Sequence, residues 1–396
     1  MPSFDVEDAF AELLTPTHGP VIPGGPSTVA DVLAKPLAAH PDQTFVITRT
    51  RRVTYAEFDA LADRAASVFA SLGVQPRDRV AMSLPSELDI VVAFHGLLRL
   101  GAIWLGINRN LATAEKRYLV EDAGVSLVLC DPEMAAQFAS IAEDVSDLDR
   151  VIVCDAQDPE CEWARLMAET TAPPPLVGID PFQPGGLAYT SGTTGFPKGV
   201  VHSHHNLLVP GAVQSRMEDY RPGAVRGDCF PLTILNMQIL SALLVAQAGA
   251  TLVLMDRIDS QGVTEFIRDE GVTLFTAPPA LLYSLAHDDG VAREDLRSLR
   301  RVLFGGAACP QSIIDDFESK FDVPVQGTYG LTEFPTAATI EPEDGRVTGA
   351  SGVPLSHVRL TIRDEEGREV PTGERGEVCL EATDEGPWAG VYTCLL

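Results

Sequence analysis

Residues 189–200 read Tyr-Thr-Ser-Gly-Thr-Thr-Gly-Phe-Pro-Lys-Gly-Val: three glycines and four short hydroxyl side chains around a lysine, Lys198. Glycine lets successive backbone N–H groups turn toward one point, hydroxyls add donors, and a lysine brings a point charge. That combination suits phosphate oxygens. The Gly-Lys-Ser/Thr order of a Walker A loop is absent. By composition alone the stretch also suits a Ser/Thr/Gly surface loop. His202, His204 and His205 crowd the segment that follows. Metal ligation is one reading of them; the start of a helix with local hydrogen bonding is another.

The loop follows a short apolar run at 187–190, and the same rhythm of strand, turn and amphipathic helix fills most of the chain. Strands are predicted at 44–48, 80–84, 127–130, 151–154 and 187–190, then at 251–254, 273–276, 302–304 and 323–329. Thr54 with Glu57 three positions on forms a capping box, opening a helix whose apolar positions run from Phe58 to Leu72 and which Gly73 ends. Further helices are predicted from about Ser86 to Gly101 and at 260–269, 279–286 and 311–321. Such alternation implies an α/β fold with mostly parallel sheets covered on both faces. From about Gly345 alternating strands with glycine turns suggest a small antiparallel piece. The run Ala172-Pro173-Pro174-Pro175 is the best linker candidate.

With 396 residues the chain exceeds one ordinary core, so two or more lobes are expected. Its formal charge of -27 repels nucleic acid and anionic lipid, which excludes both as expected partners. It repels ATP as well, so a nucleotide site must bring local donors and a metal. Residues 1–14 lack the basic start of a signal peptide. The most apolar stretch, 239–255, is broken by Gln247 and Gly249, giving a buried helix and then a strand rather than a transmembrane segment. Seven cysteines without a Cys-x-x-Cys pair read as reduced, mostly buried residues, and a cytoplasmic location is expected.

The string YTSGTTGFPKGV resembles the phosphate-binding signature of the adenylate-forming superfamily, which includes acyl-CoA synthetases, aryl-CoA ligases and adenylation domains. Thr54-Tyr55-Ala56-Glu57 resembles the family's TY-x-E segment, and Gly305-Gly306-Ala307-Ala308-Cys309-Pro310 its GGA-x-x-P turn. Gly327-Thr328-Tyr329-Gly330-Leu331-Thr332-Glu333 resembles YG-x-TE, and Gly373-Glu374-Arg375-Gly376-Glu377 resembles GE-x-GE. The resemblance implies roles. Thr190, Ser191, Gly192, Thr193, Thr194, Gly195 and Lys198 would hold the outer phosphates of ATP. Glu333 would ligate Mg²⁺, with the Thr190 hydroxyl beside the metal and Thr332 at the α-phosphate. Gly305, Gly306, Ala307, Thr328, Tyr329 and Gly330 would receive adenine, Gly306 and Tyr329 also touching the acid. Lys198, Thr332 and Glu333 are the residues expected to carry catalysis.

Pro231-Leu232-Thr233-Ile234-Leu235-Asn236 resembles the family's P-L-F-H segment, which lines the acid site. Thr233 and Ile234 replace the usual aromatic and histidine, and no aspartate is present to hold a substrate ammonium. Thr233, Ile234 and Asn236 are therefore expected to contact an apolar acid. The implied fold is two flavodoxin-like doubly wound lobes, at 1–185 and 186–344, with a small antiparallel β-barrel subdomain at 345–396. The family's ribose-binding T-G-D segment, hinge and catalytic lysine find no counterpart here, so a C-terminal lid domain of on the order of 100 residues is expected to be absent and adenylation by these residues alone impaired. The expected activity is ATP-dependent activation of a carboxylic acid, with CoA as acceptor. A ligase loading a carrier protein, or a nucleotide- or acid-binding module without catalysis, are the alternatives. Self-association is left open.

Overall fold

The computed structural model describes residues 22–190, 195–217, 220 and 223–391. In chain order the strands are β1 (Thr44–Ile47), β2 (Arg52–Thr54), β3 (Arg79–Ser83), β4 (Ile103–Gly106), β5 (Val125–Cys130), β6 (Arg150–Val153), β7 (Pro184–Thr190) and β8 (Lys198–Ser203). There follow β9 (Val225–Asp228), β10 (Thr251–Leu254), β11 (Leu274–Thr276), β12 (Arg301–Phe304) and β13 (Val325–Leu331). The last are β14 (Phe334–Ile340), β15 (Val353–Pro354), β16 (Val358–Arg363) and β17 (Glu377–Ala382). They make a six-stranded sheet ordered β6-β5-β3-β4-β7-β8 and a nine-stranded sheet ordered β15-β14-β13-β12-β11-β9-β10-β1-β2. A two-stranded ribbon, β16-β17, realises the antiparallel piece expected after Gly345. Both large sheets are parallel inside, with antiparallel strands confined to β8, β2, β14 and β15 at their edges.

Strand burial explains the parallel interior. β10 (TLVL) is buried at every position, as expected for a strand covered on both faces. Helix Tyr55–Ser71 begins as the capping box predicts: Thr54 N–H donates to Glu57 Oε2 at 2.8 Å, and Glu57 N–H donates to Thr54 Oγ1 at 3.2 Å. Helix Leu88–Arg99 buries almost its whole circumference, and helix His204–Gln214 buries every residue. A helix apolar all round belongs inside. These helices share one core with strands of both sheets, from Phe45 on β1 to Leu129 on β5 and Leu252 on β10.

A boundary at residue 185 does not separate the two sheets. β1 lies in the nine-stranded sheet, parallel to β10 with Val46 opposite Leu252, and Gln43 Nε2 donates to the Gly249 carbonyl at 2.7 Å. Conversely β7 and β8, expected to open the second lobe, close the first sheet: Trp104 on β4 pairs with Gly186 on β7. A mostly apolar strand such as β1 (TFVI) fits equally well beside any parallel neighbour, so sequence order is no guide to its sheet. The Pro-rich run at 172–175 lies in a stretch without regular structure before β7. Among the described residues no helix is long and apolar enough to cross a membrane.

Candidate functional site

β7 and β8 form an antiparallel hairpin whose last pair is Thr190 opposite Lys198, so the glycine-rich loop is the hairpin's tip. Ser191, Gly192, Thr193 and Thr194 lie outside the described residues. Gly195 follows with φ +127, a conformation closed to most side chains. The far arm of the tip is tied to helix Thr113–Asp122. Tyr118 stacks on Phe196 with ring centroids 5.3 Å apart, and its hydroxyl donates to the Pro197 carbonyl at 2.9 Å. At the near arm the Tyr189 hydroxyl donates to Asp122 Oδ2 at 2.6 Å. Burial first, and then the Asp122 carboxylate, pushes the Tyr189 phenol far above its ordinary range, so this bond is not lost by ionisation.

Directly after β8, Ser203 caps helix His204–Gln214, its hydroxyl accepting from Asn206 N–H at 3.1 Å. His204 turns inward, where its Nδ1 accepts from Val29 N–H at 3.4 Å. His202 instead reaches the other sheet: its Nε2 lies 2.8 Å from the carbonyl oxygen of Thr332. A carbonyl only accepts, so Nε2 carries the proton. Burial holds this imidazole down at about 4, against the smaller opposing effect of that hydrogen bond.

Thr332 and Glu333 form the two-residue turn between β13 and β14, with Leu331 paired to Phe334. Asn236 Nδ2 donates to the Leu331 carbonyl at 3.4 Å, bringing the acid segment against the same turn. That segment is pinned at several points. Phe230 N–H donates to Asp228 Oδ1 at 2.8 Å, Leu232 N–H to Ser86 Oγ at 3.0 Å, and Gln238 Nε2 to the Leu232 carbonyl at 3.0 Å. Asp228, fully buried, is pushed up to about 6 by desolvation, while its hydroxyl partner Ser241 satisfies the other oxygen. On the neighbouring strand Gly305-Gly306-Ala307 follows β12. A methyl group at Gly305 would come within 2.7 Å of Thr328 Oγ1, so only glycine lets this turn lie against β13.

Two cavities flank β13. The larger, about 680 Å³, is lined by Thr190 and Gly195 from the hairpin, Thr233, Ile234 and Asn236 from the acid segment, and Thr332 from the turn. Its other wall is mostly apolar and includes Gly106, Leu111, Tyr118, Leu119 and Phe196. The second, about 380 Å³, holds Gly306, Ala307, Thr328, Tyr329 and Gly330, with Glu341 and Ser351 opposite. The substrate set expected from the sequence is thus divided: Thr233, Ile234 and Asn236 stand in one cavity, Gly306 and Tyr329 in the other. Lys198, exposed at the base of the hairpin, and Glu333, partly exposed in its turn, stand beside these cavities rather than among their lining residues.

The donors suit a hard cation. Glu333 offers a carboxylate and Thr190 a hydroxyl, and the imidazole of His202, which approaches the turn, already spends its protonated nitrogen on Thr332. Mg²⁺ prefers oxygen and keeps waters and phosphate oxygens as its remaining ligands, so few protein donors are needed. Among the described residues no cluster of three or more His, Cys, Asp or Glu is arranged around a metal position. The sequence reading gave no role to Gly106, Asn108, Tyr118 or Asp122, and took His202 only as one of three crowded histidines, for a metal or for helix entry. Tyr118 meets Pro197 across 79 positions, and no local pattern marks such a pair.

A family profile for AMP-binding enzymes matches residues 33–384, and the chain belongs to that family. It is 31% identical over 336 residues to a long-chain-fatty-acid–CoA ligase of Mycobacterium tuberculosis, covering 84% of this chain and 65% of that protein. It is 29% identical over 350 residues to a fatty acid–[acyl-carrier-protein] ligase of Streptomyces coeruleorubidus, covering 86% of this chain and 66% of that protein. The chain therefore spans about two thirds of the length of these relatives. Among solved structures, the inhibitor-bound N-terminal domain of FACL13 from Mycobacterium tuberculosis superposes with a TM-score of 0.82 at 26% identity, covering 90% of this chain and 89% of that one. The anthranilate CoA ligase AuaEII in complex with anthranoyl-AMP gives 0.83 at 23% identity, covering 90% and 70%, and speaks for the fold alone.

Proposed function

We propose that this chain is the nucleotide- and acid-binding part of a ligase that activates an apolar carboxylic acid as its acyl adenylate and passes the acyl group to CoA. The observation that carries the reading is the larger cavity, where Thr190 and Gly195 of the phosphate hairpin face Thr332 and the Thr233, Ile234 and Asn236 side of the acid segment. In the first step a carboxylate oxygen attacks the α-phosphorus of ATP, the bond to the β-phosphate oxygen breaks, and pyrophosphate leaves. Two anions must meet, so positioning and charge compensation carry most of the catalysis. Lys198 neutralises the outer phosphates, the Thr190 and Thr332 hydroxyls orient phosphate oxygens, and Glu333 holds Mg²⁺. The metal, when bound, withdraws charge from the phosphate oxygens. Tyr329 and the Gly305–Ala307 backbone receive adenine. In the second step a thiol sulfur attacks the acyl carbonyl and AMP departs.

An apolar acid is supported by Ile234, which projects 41% exposed at the cavity alongside Leu235 and Leu111. Relatives whose names specify fatty acids agree with it, and their names specify both CoA and a carrier protein as acceptors. The test is ATP-dependent pyrophosphate release over a panel of alkyl, aryl, hydroxylated and amino acids, followed by product analysis with CoA and with a phosphopantetheinylated carrier protein. Release with alkyl or aryl acids and thioester formation on CoA are expected. ATP binding without release for any acid, in the protein with all its domains, would leave a binding module instead.

A further inference from the structure

We infer that His202 is a positioning residue that couples the phosphate hairpin to the magnesium turn, so that the two halves of the nucleotide site, carried by different sheets, keep one fixed spacing. The inference rests on the reading of Glu333 as the magnesium ligand. His202 sits on β8, opposite Gly186 and four residues beyond Lys198, at the edge of the six-stranded sheet. Thr332 and Glu333 belong to the β13–β14 turn of the nine-stranded sheet. The 2.8 Å bond from His202 Nε2 to the Thr332 carbonyl spans 130 positions of sequence and crosses from one sheet to the other at the site itself.

The side chain is fully buried, and its Nδ1 has no hydrogen-bond partner among the described residues. A buried polar nitrogen left unpaired costs stability, so an apolar side chain would serve better here if packing were the only demand. What the imidazole adds is a single directed donor, aimed at the backbone of the residue before Glu333. The neighbouring contacts act on the two parts separately. Tyr118 and Asp122 fix the hairpin to its own lobe, and Asn236 fixes Leu331 within the other. His202 joins Lys198's hairpin to Glu333's turn directly. Since Glu333 would hold Mg²⁺ on the turn and Lys198 the outer phosphates on the hairpin, the separation of these parts would set how well Mg·ATP fits, whereas AMP lacks the phosphates that the hairpin would hold.

The test compares the parent chain with H202L, which removes the donor, and H202Q, whose amide Nε2 can reach the same carbonyl. Binding of ATP is titrated at fixed and varied Mg²⁺ and set beside binding of AMP, with thermal unfolding as the folding control. Should H202L fail to fold, H202M replaces it, keeping length without a donor. H202L is expected to weaken Mg·ATP about tenfold, the scale of one lost hydrogen bond, and to raise the Mg²⁺ requirement, while AMP binding changes less than twofold. H202Q is expected to recover most of the loss. Equal effects on ATP and AMP, no effect on either, or H202Q no better than H202L would overturn the coupling role while leaving the nucleotide site standing. A parent chain that binds neither nucleotide removes the reading of the site, and the coupling role with it.

Discussion

Gly106 ends β4 and lines the larger cavity with no side chain of its own, yet its backbone lies against the acid segment. A methyl group built there would overlap the carbonyl oxygen of Thr233 and the far edge of the Trp104 indole. Trp104 is wholly buried and pinned by its Nε1–H contact to Met82 Sδ at 3.1 Å, so it has little room to retreat. The Thr233 backbone, although its segment is held at Phe230 and Leu232, has more room than Trp104, because Ile234 beside it is exposed. Relieving the overlap in Gly106→Ala requires a shift on the order of an ångström, and overpacking of this kind costs about 1–3 kcal/mol. Some of that appears as lost stability and the rest as a displaced acid segment. If the displacement takes most of it, KM for the acid rises by roughly 5- to 150-fold at constant KM for ATP. Steady-state pyrophosphate release, with acid and ATP varied separately, reads both constants, and a thermal melt reads the stability share. Equal rises in the two constants, or an unchanged KM for the acid in a destabilised protein, would refute the assignment of the Thr233–Asn236 side to the acid.

Glu333→Gln should weaken Mg²⁺-dependent ATP binding at least tenfold more than AMP binding, since a metal held by Glu333 would serve phosphates that AMP lacks; equal losses in paired titrations would remove Glu333 from the metal. Lys198→Ala should slow adenylate formation while thioester formation from preformed acyl adenylate stays within about twofold of the parent, because a point charge on the outer phosphates matters only before pyrophosphate leaves; comparable damage to both half-reactions would make the lysine structural. His95, buried between Phe58 and Phe94, is held at about 3 by desolvation and then by Arg99, below its ordinary 6.5. Its folded value is depressed, so the stability tied to its neutral form is whole above pH 6.5 and is lost as pH falls toward 3, amounting to about 2 kcal/mol between pH 7 and pH 5. Urea unfolding of the parent and His95→Leu at both values should show a gap that changes by that amount, and a gap independent of pH would contradict it.

Local chemistry was legible in the sequence. The Thr54–Glu57 capping box, helix Gln311–Phe321 and strand Thr251–Leu254 lie where capping and periodicity put them, because each depends on neighbours a few residues away. The edges slipped where tertiary contact decides: the second helix starts at Leu88 rather than Ser86, whose hydroxyl is engaged with Phe230 and Leu232 instead. Helix Thr113–Asp122 went unpredicted, its buried residues being only Lys116, Leu119 and Val120, so its sequence carries little apolar period. That helix supplies Tyr118 and Asp122, which hold the phosphate hairpin. The motifs therefore marked the residues proposed to face ligands, whereas the residues that hold them in place carried no local signal because they act through pairs distant in sequence.

The interleaving of the two sheets gives the site its geometry. Each segment at the crevice follows the carboxyl end of a strand running parallel to a neighbour: Gly106 to Asn108 after β4, the glycine-rich loop after β7, and Thr233 to Asn236 beyond β9. Gly305 to Ala307 follow β12, and the Thr332–Glu333 turn ends β13. Open parallel sheets bind ligands outside those ends, where loops diverge and backbone donors are unpaired. A single sheet would offer one such edge. Here β7 leads to the glycine-rich hairpin on the first sheet, while β9, β12 and β13 lead to Thr233–Asn236, Gly305–Ala307 and Glu333 on the second. On the proposed function, chemistry between two anions would fall at this seam, with Lys198 on the edge strand of one sheet and Glu333 in the β13–β14 turn of the other. The bond from His202 to Thr332 crosses that seam beside both of them.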